Sequence, residues 1–425
     1  MFLRIHIISV SFFIGYVLSE DILLPSFIMD TQPLSAQSSF YLCHLHQLKN
    51  SNDLFLQGYN IINGAHTGHV HHLLLYECSI KDNLIYSGLC GIYNARLMPS
   101  SVYRYCQTRI IIAWARGGQL NYDYPIKTGL KMISSTQLLL EVHFEPSIPH
   151  NHSIGIQLRF YPLNEKPQYE VGVLTLGTLA NSPLFLPPSL NTISFPTYCF
   201  NDCLKGFLKN NLVINMFSIL VHAHQRATRI ILEKNNNFDR LIDQNPFKFH
   251  QQEMIYFHKP YPQINSTNEL SLICYYSTQN DHLKGIYGGY DSNNEMCQAF
   301  IYYYPKVESF PLCLSLPVYK NKHLMNNKRN WTNKLSLFIK DELESNINHL
   351  SLCGDNIYFN QSNKTMLQTK LYQRSMKNFK QYSYVYLRFS SIFYTTITSI
   401  LLISIIYCYL IINKCLHSFS NGGTL

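Results

Sequence analysis

The sequence predicts an all-β protein made of two β-sandwich domains of jelly-roll type in tandem, followed by one C-terminal transmembrane helix. Short runs rich in Val, Ile, Leu, Tyr and Phe alternate with clusters of Gly, Pro, Asn and Ser, which is typical of strands joined by turns. No long amphipathic helix separates these runs, which favours sandwiches. The clearest predicted strands are His72–Tyr76, Arg109–Ala113, Leu138–His143 and Phe217–His222.

The length and composition of the chain allow this architecture. Its 425 residues are 46% hydrophobic, which is enough for two or three domains with real cores. We expect an N-terminal domain over residues 20–163 and a C-terminal domain over residues 164–318. A polar stem over residues 319–388 would follow, with a helix predicted near Asn333 to Ile347.

Both ends of the chain carry targeting patterns. Residues 1–19 have the layout of a secretory signal peptide, because Arg4 precedes an apolar stretch that ends at Glu20. Residues 389–412 are uncharged and long enough to cross a bilayer as a helix, which leaves 413–425 as a short cytoplasmic tail. Lysines and arginines crowd before this span, against the positive-inside bias. Because a cleaved signal fixes the start of the chain in the lumen, we predict a single-pass type I membrane protein of the secretory pathway, with its body lumenal or extracellular.

The cysteines and the glycosylation sequons agree with a lumenal location. Ten of the twelve cysteines lie between the signal peptide and the span, an even number in a compartment that favours disulfides. They are Cys43, Cys78, Cys90, Cys106, Cys199, Cys203, Cys274, Cys297, Cys313 and Cys353. Five Asn-x-Ser/Thr sequons fall in the same interval and are predicted glycosylation sites. They are Asn151, Asn265, Asn330, Asn360 and Asn363.

Several functional classes find no support in the chain. The net charge of +9 is spread along Asn-rich and Tyr-rich stretches without a concentrated basic patch, so we expect no nucleic-acid partner. The sequence contains no Gly-rich phosphate loop, no zincin His-Glu-x-x-His motif and no nucleophile elbow. Phosphoryl transfer and serine hydrolysis are therefore excluded.

Two groups of side chains have the character of metal ligands. The first group is His71, His72 and His143, and the second group is His222, His224 and Met296. Neither group contains a thiolate, which argues against a structural zinc site. Three imidazoles, or two imidazoles with a thioether, suit a metal that cycles between Cu(I) and Cu(II). The chemistry indicated is one-electron work on dioxygen.

The spacing supports the second group more than the first. In His222-Ala223-His224 the side-chain period of a strand puts both imidazoles on one face. His71 and His72 are adjacent, so they can hold one ion together only at a strand end or a bulge. Among 18 histidines such pairs arise often by chance, and packing or surface roles are the commoner alternative for these residues taken alone.

Most of the lumenal chain resembles the ascorbate-dependent type II copper monooxygenases, which include dopamine β-monooxygenase, tyramine β-hydroxylase, the DBH-like monooxygenases and the peptidylglycine α-hydroxylating monooxygenases. Six blocks follow one another in the family's order. They are His69-Val-His-His-Leu-Leu-Leu-Tyr-Glu-Cys78; Tyr105-Cys106 with Ala113-Trp-Ala-Arg116; Leu140-Glu-Val-His143; Val221-His-Ala-His224; Gly288-Gly289; and Glu295-Met-Cys297 through Tyr302-Tyr-Tyr-Pro305. This order leaves chance no serious role.

The resemblance implies two β-sandwich domains that each bind one copper ion and face each other across a solvent-filled cleft. The first group would hold an electron-transfer copper, and the second group an oxygen-binding copper. Ascorbate would supply single electrons, O2 would supply the oxygen atom, and an activated C–H bond would be hydroxylated. All six ligand positions carry the family's residue types, so we expect an active monooxygenase; the alternative is a catalytically silent copper-binding paralogue.

The resemblance also implies a disulfide pattern and a branch of the family. The implied pairs are Cys43–Cys90, Cys78–Cys106, Cys199–Cys313, Cys203–Cys353 and Cys274–Cys297. The doublet Cys199 and Cys203 is similar to the amine-hydroxylase and DBH-like branch. The peptide-amidating enzymes match this doublet at only one of the two positions.

Three positions beside the second group indicate the substrate class. Peptidylglycine enzymes hold the substrate carboxylate with an Arg before the His-x-His motif and with Asn and Tyr after the methionine. Here these positions are Leu220, Gln298 and Phe300. Without that Arg, the charge-assisted hold on a carboxylate is lost. We therefore expect a DBH-like enzyme for a small aromatic amine such as a phenethylamine, with peptidylglycine α-hydroxylation as the alternative.

Overall fold

The computed structural model describes most of residues 26–359. The gaps are 32–39, 49–51, 63–69, 79–83, 91–105, 107–108, 134–136, 145–151, 163–164, 179–183, 210–211, 236–238, 308–311, 318, 327–329, 345–348 and 354–355. The predicted signal peptide, span and tail lie outside the described residues, as do three of the sequon asparagines (Asn151, Asn360 and Asn363). No helix in the described part of the chain is long and apolar enough to cross a membrane.

The first sandwich contains eleven described strands. They are β1 (Ser26–Thr31), β2 (Phe40–Gln47), β3 (Leu54–Ile62), β4 (Val70–Cys78), β5 (Tyr86–Cys90), β6 (Ile110–Ala115), β7 (Asn121–Asp123), β8 (Thr128–Met132), β9 (Gln137–Phe144), β10 (His152–Phe160) and β11 (Tyr169–Glu170). One sheet has the order β1-β10-β3-β8-β11, with β7 also paired to β3. The other sheet has the order β5-β2-β9-β4-β6, so β9 and β4 are central.

The second sandwich follows along the chain. Its strands are β12 (Gly172–Thr178), β13 (Phe185–Leu186), β14 (Ile193–Cys199), β15 (Ile214–Ala223), β16 (Ala227–Lys234), β17 (Asp239–Gln244), β18 (Ile255–Tyr256), β19 (Gln263–Ile264), β20 (Leu270–Tyr276), β21 (Ile286–Tyr287), β22 (Cys297–Tyr304), β23 (Leu312–Pro317), β24 (His349–Cys353) and β25 (Asn356–Phe359). Its helices are α1 (Asn201–Phe207) and α2 (Asn333–Leu343), with a 3₁₀ turn at Lys322–Leu324. The larger sheet runs β18-β15-β22-β12-β23-β24-β25, with β19 also paired to β15, and the smaller runs β14-β20-β16-β17, while β13 and β21 pair separately.

The central strands are buried on both faces, which explains their nearly continuous apolar sequences. Along β9 all eight residues are buried. Leu138, Leu140 and Val142 face the core between the two sheets. Because side chains alternate along a strand, His143 points away from that core. The same alternation puts Ala223 of β15 into the core of the second sandwich.

The two sandwiches share a continuous apolar interface. The core of the first sandwich extends to residues of the second, among them Phe217, Leu220, Phe300 and Tyr302. These four residues lie on β15 and β22, which are neighbours in the larger sheet of the second sandwich. The outer face of that sheet is therefore covered by the first sandwich, whereas its inner face belongs to a separate core.

Four disulfides join described cysteines, and all four are pairs that the resemblance implied. They are Cys78–Cys106, Cys199–Cys313, Cys203–Cys353 and Cys274–Cys297. Cys43 is also disulfide-bonded, and its pairing with Cys90 stays a prediction. The Cys274–Cys297 bond connects β20 to β22, and so joins the two sheets of the second sandwich beside Met296.

The polar segment after residue 318, which the sequence suggested as a stem, adds two strands to the larger sheet of the second sandwich. β24 pairs antiparallel with β23, and β25 extends the same sheet. Helix α2 begins after Thr332, whose side chain accepts a hydrogen bond from the backbone N–H of Leu335, and it buries Ile339 and Leu343. The predicted helix is therefore confirmed, although it packs on the sandwich.

Candidate metal centre

A β-bulge allows His71 and His72 to face the same site. β4 and β9 pair Val70 with Phe144 and then His72 with His143, so His71 is an extra residue on β4. An extra residue in one strand turns two successive side chains towards one side. The sequence analysis expected a strand end or a bulge if these neighbouring histidines were to bind one ion together, and the structure contains the bulge.

The three imidazoles of the first group converge through their Nδ1 atoms. His71 Nδ1 lies 3.1 Å from His143 Nδ1 and 3.0 Å from His72 Nδ1. Nitrogens bound to one ion at about 2.0 Å lie roughly 3 Å apart, so this spacing fits a shared metal ion. The ring of Tyr41 stacks on His143 with 4.0 Å between the ring centroids, which fixes the orientation of that imidazole.

The second group presents Nε2 atoms instead. Among the described residues, neither His222 Nε2 nor His224 Nε2 has a hydrogen-bond partner, and both atoms are buried. The opposite nitrogens are held, because His222 Nδ1 lies 2.8 Å from Gln252 Oε1 and His224 Nδ1 lies 3.1 Å from the carbonyl oxygen of Asn294. An Nδ1–H that donates to an oxygen leaves the Nε2 lone pair free for a metal ion.

A buried carboxyl group fixes the backbone of the second group. Glu295 Oε2 accepts hydrogen bonds from the backbone N–H of His224 at 3.0 Å and of Met296 at 3.3 Å, and Oε1 accepts one from Arg226 at 2.6 Å. Burial raises the pKa of Glu295 to about 8, although these hydrogen bonds oppose the shift. The register of β15 and β22 pairs Ala223 with Cys297, which brings the Met296 backbone beside His224. Met296 itself is 3% exposed, and its role as a ligand stays a prediction.

The two groups meet in one cluster, so the expected solvent-filled cleft does not separate these histidines. The ring centroid of His71 lies 5.2 Å from that of His222 and 5.1 Å from that of His224. His71 belongs to both sets of convergent nitrogens, one with His72 and His143 and one with His222 and His224. The continuous apolar interface between the sandwiches brings the two groups together.

All five imidazoles are held in the neutral form. Burial lowers the pKa of His143 to about 3 and that of His222 to about 4. Burial and the neighbouring imidazoles hold the pKa values of His71, His72 and His224 well below the usual 6.5. Neutral imidazole is the form that binds a metal, so no proton has to leave these residues at neutral pH.

The donor set fits copper. Convergent imidazole nitrogens with a buried thioether alongside suit a metal that alternates between Cu(I) and Cu(II). The alternative metal cluster among the described residues is Cys199, Cys203 and Cys313. Those cysteines form disulfides with Cys313 and Cys353, so they are not available as thiolate ligands.

Of the three positions that differ from the peptidylglycine pattern, two lie in the interface between the sandwiches and the third is hydrogen-bonded to β12. Leu220 and Phe300 are each 2% exposed and belong to the shared apolar interface. Gln298 Nε2 donates to the carbonyl oxygen of Thr178 at 2.9 Å. None of these three side chains offers a cation for a carboxylate.

Sequence reasoning missed Gln252, Asn294 and the role of Glu295. Gln252 lies in a polar stretch without periodicity, so nothing in the sequence marks it. Asn294 contributes its carbonyl oxygen, which every residue type could supply. Glu295 had one usable signal, since an acidic residue directly before a buried Met-Cys pair requires hydrogen-bond partners.

Family models match the chain over both sandwiches. The model for the copper type II ascorbate-dependent monooxygenase N-terminal domain matches residues 26–149, and the model for the C-terminal domain matches residues 169–326. The first match contains the first histidine group. The second match contains His222, His224 and Met296.

Relatives agree with these matches. The chain is 31% identical over 271 residues to DBH-like monooxygenase protein 1 of Gallus gallus, covering 60% of this chain and 42% of the relative. It is 28% identical over 309 residues to the protein of that name in Homo sapiens (69% and 49%), and 24% identical over 312 residues to human dopamine beta-hydroxylase (70% and 49%). The chain spans about half the length of the curated relatives it matches. Because both domain models match in order and cover the histidine cluster, the chain belongs to the copper type II ascorbate-dependent monooxygenase family.

Proposed function

We propose that this protein is a copper- and ascorbate-dependent monooxygenase that uses O2 to hydroxylate an activated C–H bond of a small aromatic amine. The observation that carries the proposal is the buried cluster of five neutral imidazoles. In this cluster the three Nδ1 atoms of the first group converge, and Nε2 of His222 and Nε2 of His224 have no hydrogen-bond partner among the described residues. A buried polar atom without a partner is costly unless a ligand satisfies it. A bound metal ion would remove that cost.

The two groups would hold one copper ion each. The first group binds through the convergent Nδ1 atoms, and the second binds through Nε2 of His222 and His224 together with Met296. Copper bound there supplies one-electron exchange with ascorbate and the activation of dioxygen. Gln252 and the carbonyl oxygen of Asn294 orient the imidazoles of the second group.

The surroundings of the cluster exclude bulk water. The five histidines are between 0% and 6% exposed. A dry site keeps the imidazoles neutral and protects reactive oxygen chemistry from side reactions with solvent. The short separation between the rings of the two groups favours rapid electron transfer between them.

A small amine is a better substrate for this site than a peptide carboxylate. The positions that would anchor a carboxylate are filled by Leu220 and Phe300, which are buried in the shared interface. Near the cluster, the Asp291 carboxylate acts electrostatically on His143. A carboxylate at this place attracts a cationic substrate and repels an anionic one.

We also propose that the protein works in the lumen of the secretory pathway or outside the cell. The four disulfides between described cysteines support this location, since such bonds persist in oxidising compartments. Asn330 is exposed and open to glycosylation. The signal peptide and the single membrane anchor at 389–412 stay predictions.

The decisive test is oxygen consumption by the purified, copper-loaded full chain in the presence of ascorbate. Tyramine is compared with a glycine-extended peptide, and products are identified by mass spectrometry. We expect oxygen uptake with tyramine and a product heavier by one oxygen atom. Uptake with the peptide alone would overturn the amine assignment and favour peptidylglycine hydroxylation.

Matched histidine variants connect this activity to the cluster. His224→Ala should lose one copper ion and the substrate-dependent oxygen uptake. His258→Ala changes an exposed histidine outside the cluster and should retain both. If wild-type protein binds two copper ions but neither substrate increases oxygen uptake, the catalytic proposal fails and a copper-binding role replaces it.

A further inference from the structure

A short segment of the second sandwich, residues 249–254, lies against the first sandwich beside the histidine cluster. We refer to it as the docking strap. The backbone N–H of Gln252 donates to the carbonyl oxygen of Arg116 at 2.8 Å. Gln119 forms a reciprocal pair with Met254, since its Oε1 accepts from the Met254 N–H at 3.0 Å and its Nε2 donates to the Met254 carbonyl at 3.3 Å. The guanidinium of Arg116 also donates to His250 Nδ1 at 3.0 Å, so four hydrogen bonds hold the strap to the first sandwich.

A glycine in the first sandwich makes this close approach possible. Gly117 has φ +82°, and a Cβ at that position would lie 2.5 Å from Gln251 Cα and 2.7 Å from the His250 carbonyl oxygen. Both contacts are with backbone, which cannot move aside without lifting the strap. The first sandwich therefore carries a surface shaped for this segment.

The strap touches both ligand groups. On the side of the first group, the N–H of Arg116 donates to the His71 carbonyl at 2.9 Å, and the ring of Phe249 lies 4.7 Å from the His71 ring. On the side of the second group, Gln252 Oε1 accepts from His222 Nδ1. A continuous series of hydrogen bonds therefore runs from His71 through Arg116 and Gln252 to His222.

The side-chain amide of Gln252 can take only one orientation. Its Nε2 donates to the carbonyl oxygens of Phe249 at 2.8 Å and Ala223 at 3.4 Å, which leaves Oε1 as the acceptor for His222. Gln252 is 2% exposed, so water does not compete for these bonds. Because the backbone of Gln252 is bonded to the first sandwich and its side chain to a ligand, a movement of the strap also moves the acceptor of His222.

We propose that the docking strap couples the two metal sites, with Gln252 as a positioning residue that orients His222 only while the strap is seated on the first sandwich. This inference rests on the proposed function, since it treats both histidine groups as copper sites. It makes the copper affinity of the second group dependent on contacts of the first sandwich in which no ligand takes part.

The test uses Gln119→Leu, which removes two of the four hydrogen bonds that seat the strap and alters no residue that touches a ligand. Dissociation constants of both copper ions in the full chain are measured by competition with a Cu(I) chelator, so turnover is not required. X-ray absorption identifies the affected ion, because only the second group would add a sulfur ligand. We expect Gln119→Leu to raise the dissociation constant of the second ion about five-fold, the equivalent of one net hydrogen bond.

Two further variants make the result specific. Gln252→Leu should raise the same dissociation constant by about 10-fold to 100-fold, as loss of an outer partner of a metal-bound histidine typically does. Gln251→Leu is the matched control, since Gln251 is exposed and its side chain bonds only Glu253 and Lys248 of the second sandwich. It should leave both dissociation constants unchanged.

The outcomes separate this inference from the proposed function. If the wild-type chain binds no copper, the proposed function fails. If it binds two ions and folded Gln119→Leu matches Gln251→Leu, the coupling is refuted while the proposed function stands. Should Gln119→Leu fail to fold, Gly117→Ala tests the same contact, because its added methyl group lifts the strap; an unchanged second affinity in that variant refutes the coupling equally.

Discussion

The second ligand group depends on a buried carboxyl group that binds no metal. Glu295 is 1% exposed and accepts the backbone N–H groups of Arg226, His224 and Met296. Two of these three residues are candidate ligands. A single side chain therefore sets the separation between the imidazole of His224 and the thioether of Met296, which come from different parts of the chain.

We predict that Glu295→Gln weakens both the fold and the metal site. The amide has the same shape, but its nitrogen cannot accept a hydrogen bond, whereas both oxygens of the carboxyl group accept from backbone N–H groups. At least one buried N–H is therefore left unsatisfied. The free energy of unfolding should fall by about 1–3 kcal/mol, and copper should bind about tenfold more weakly. Urea denaturation and chelator competition measure the two effects. Glu253→Gln, at an exposed position of the docking strap, is the control, and equal behaviour of the two variants would refute the role of Glu295.

The buried histidines make the metal-free protein sensitive to acid. The folded-state pKa values of His143 and His222 are about 3 and about 4, and the other three imidazoles are also shifted down. Below pH 6.5 these histidines bind protons in the unfolded chain, whereas they remain neutral in the folded protein. The stability contributed by these histidines is therefore complete above pH 6.5 and is lost as the pH falls towards 4.

Two buried carboxyl groups change the free energy of unfolding with pH in the opposite direction. Burial raises the pKa of Glu141 to about 7 and that of Glu295 to about 8. The folded state holds these protons while the unfolded chain releases them above pH 4.5, so the stability they contribute is complete below pH 4.5 and is lost as the pH rises through 7 to 8. Taken together, these five histidines and two glutamates bind about three more protons in the unfolded chain than in the folded protein near pH 5.5. Each of these protons changes the free energy of unfolding by about 1.4 kcal/mol per pH unit.

We therefore predict that the melting temperature of the metal-free protein falls between pH 6.5 and pH 5. His224→Ala removes one buried imidazole and should therefore reduce the proton uptake on unfolding by about one proton. The melting temperature of this variant should fall less steeply with decreasing pH. The exposed His258 is the control, and His258→Ala should reproduce the wild-type profile. A pH profile that is flat in the wild-type protein would contradict the neutral, buried state of the cluster.

At the scale of elements, the sequence predicted the strands that carry the ligands. The runs at Leu138–His143 and Phe217–His222 lie in β9 and β15. The alternation of side chains along β15 correctly puts His222 and His224 on one side with Ala223 in the core. For His71 and His72, the sequence could state only that a bulge or a strand end was necessary, because the register that creates the bulge depends on pairing with distant β9.

The two strands at the edge of the larger sheet, β24 and β25, could not be predicted from the sequence. β24 and β25 come from a polar segment, and strands near a sheet edge need little apolar sequence. Their position is fixed by pairing with β23 and by the Cys203–Cys353 disulfide, both of which connect residues far apart in the chain. Local composition favoured a stem because it contains no information about such contacts.

At the scale of the molecule, the meeting of the two histidine groups could not be predicted. Each group could be found from its own motif, but their separation depends on how β15 and β22 pack against the first sandwich. The residues that determine this packing, such as Phe217 and Tyr302, cannot be distinguished in the sequence from ordinary core residues of a single sandwich. The resemblance implied a cleft, whereas the packed interface brings the imidazole rings to within about van der Waals contact.

Tyr302 is the residue of this interface whose loss should separate the sandwiches. Its hydroxyl accepts a hydrogen bond from the backbone N–H of Ala113 at 2.9 Å, and its ring lies 5.6 Å from that of Tyr122. Tyr303, its neighbour on β22, points instead into the core of the second sandwich. The pair offers a substitution of equal size on opposite faces of one strand.

We predict that the wild-type protein unfolds in a single calorimetric transition and that Tyr302→Ala divides it into two. Removing a buried aromatic side chain lowers the free energy of unfolding by about 3–5 kcal/mol. At this position the lost contacts are those between the two sandwiches, which make them unfold together. Tyr303→Ala should cost a similar amount but keep one transition at a lower temperature, because the interface is intact. If Tyr302→Ala also unfolds in one transition, the sandwiches are coupled by other contacts, and the strap and the apolar residues around Phe300 would then have to hold the histidine groups together on their own.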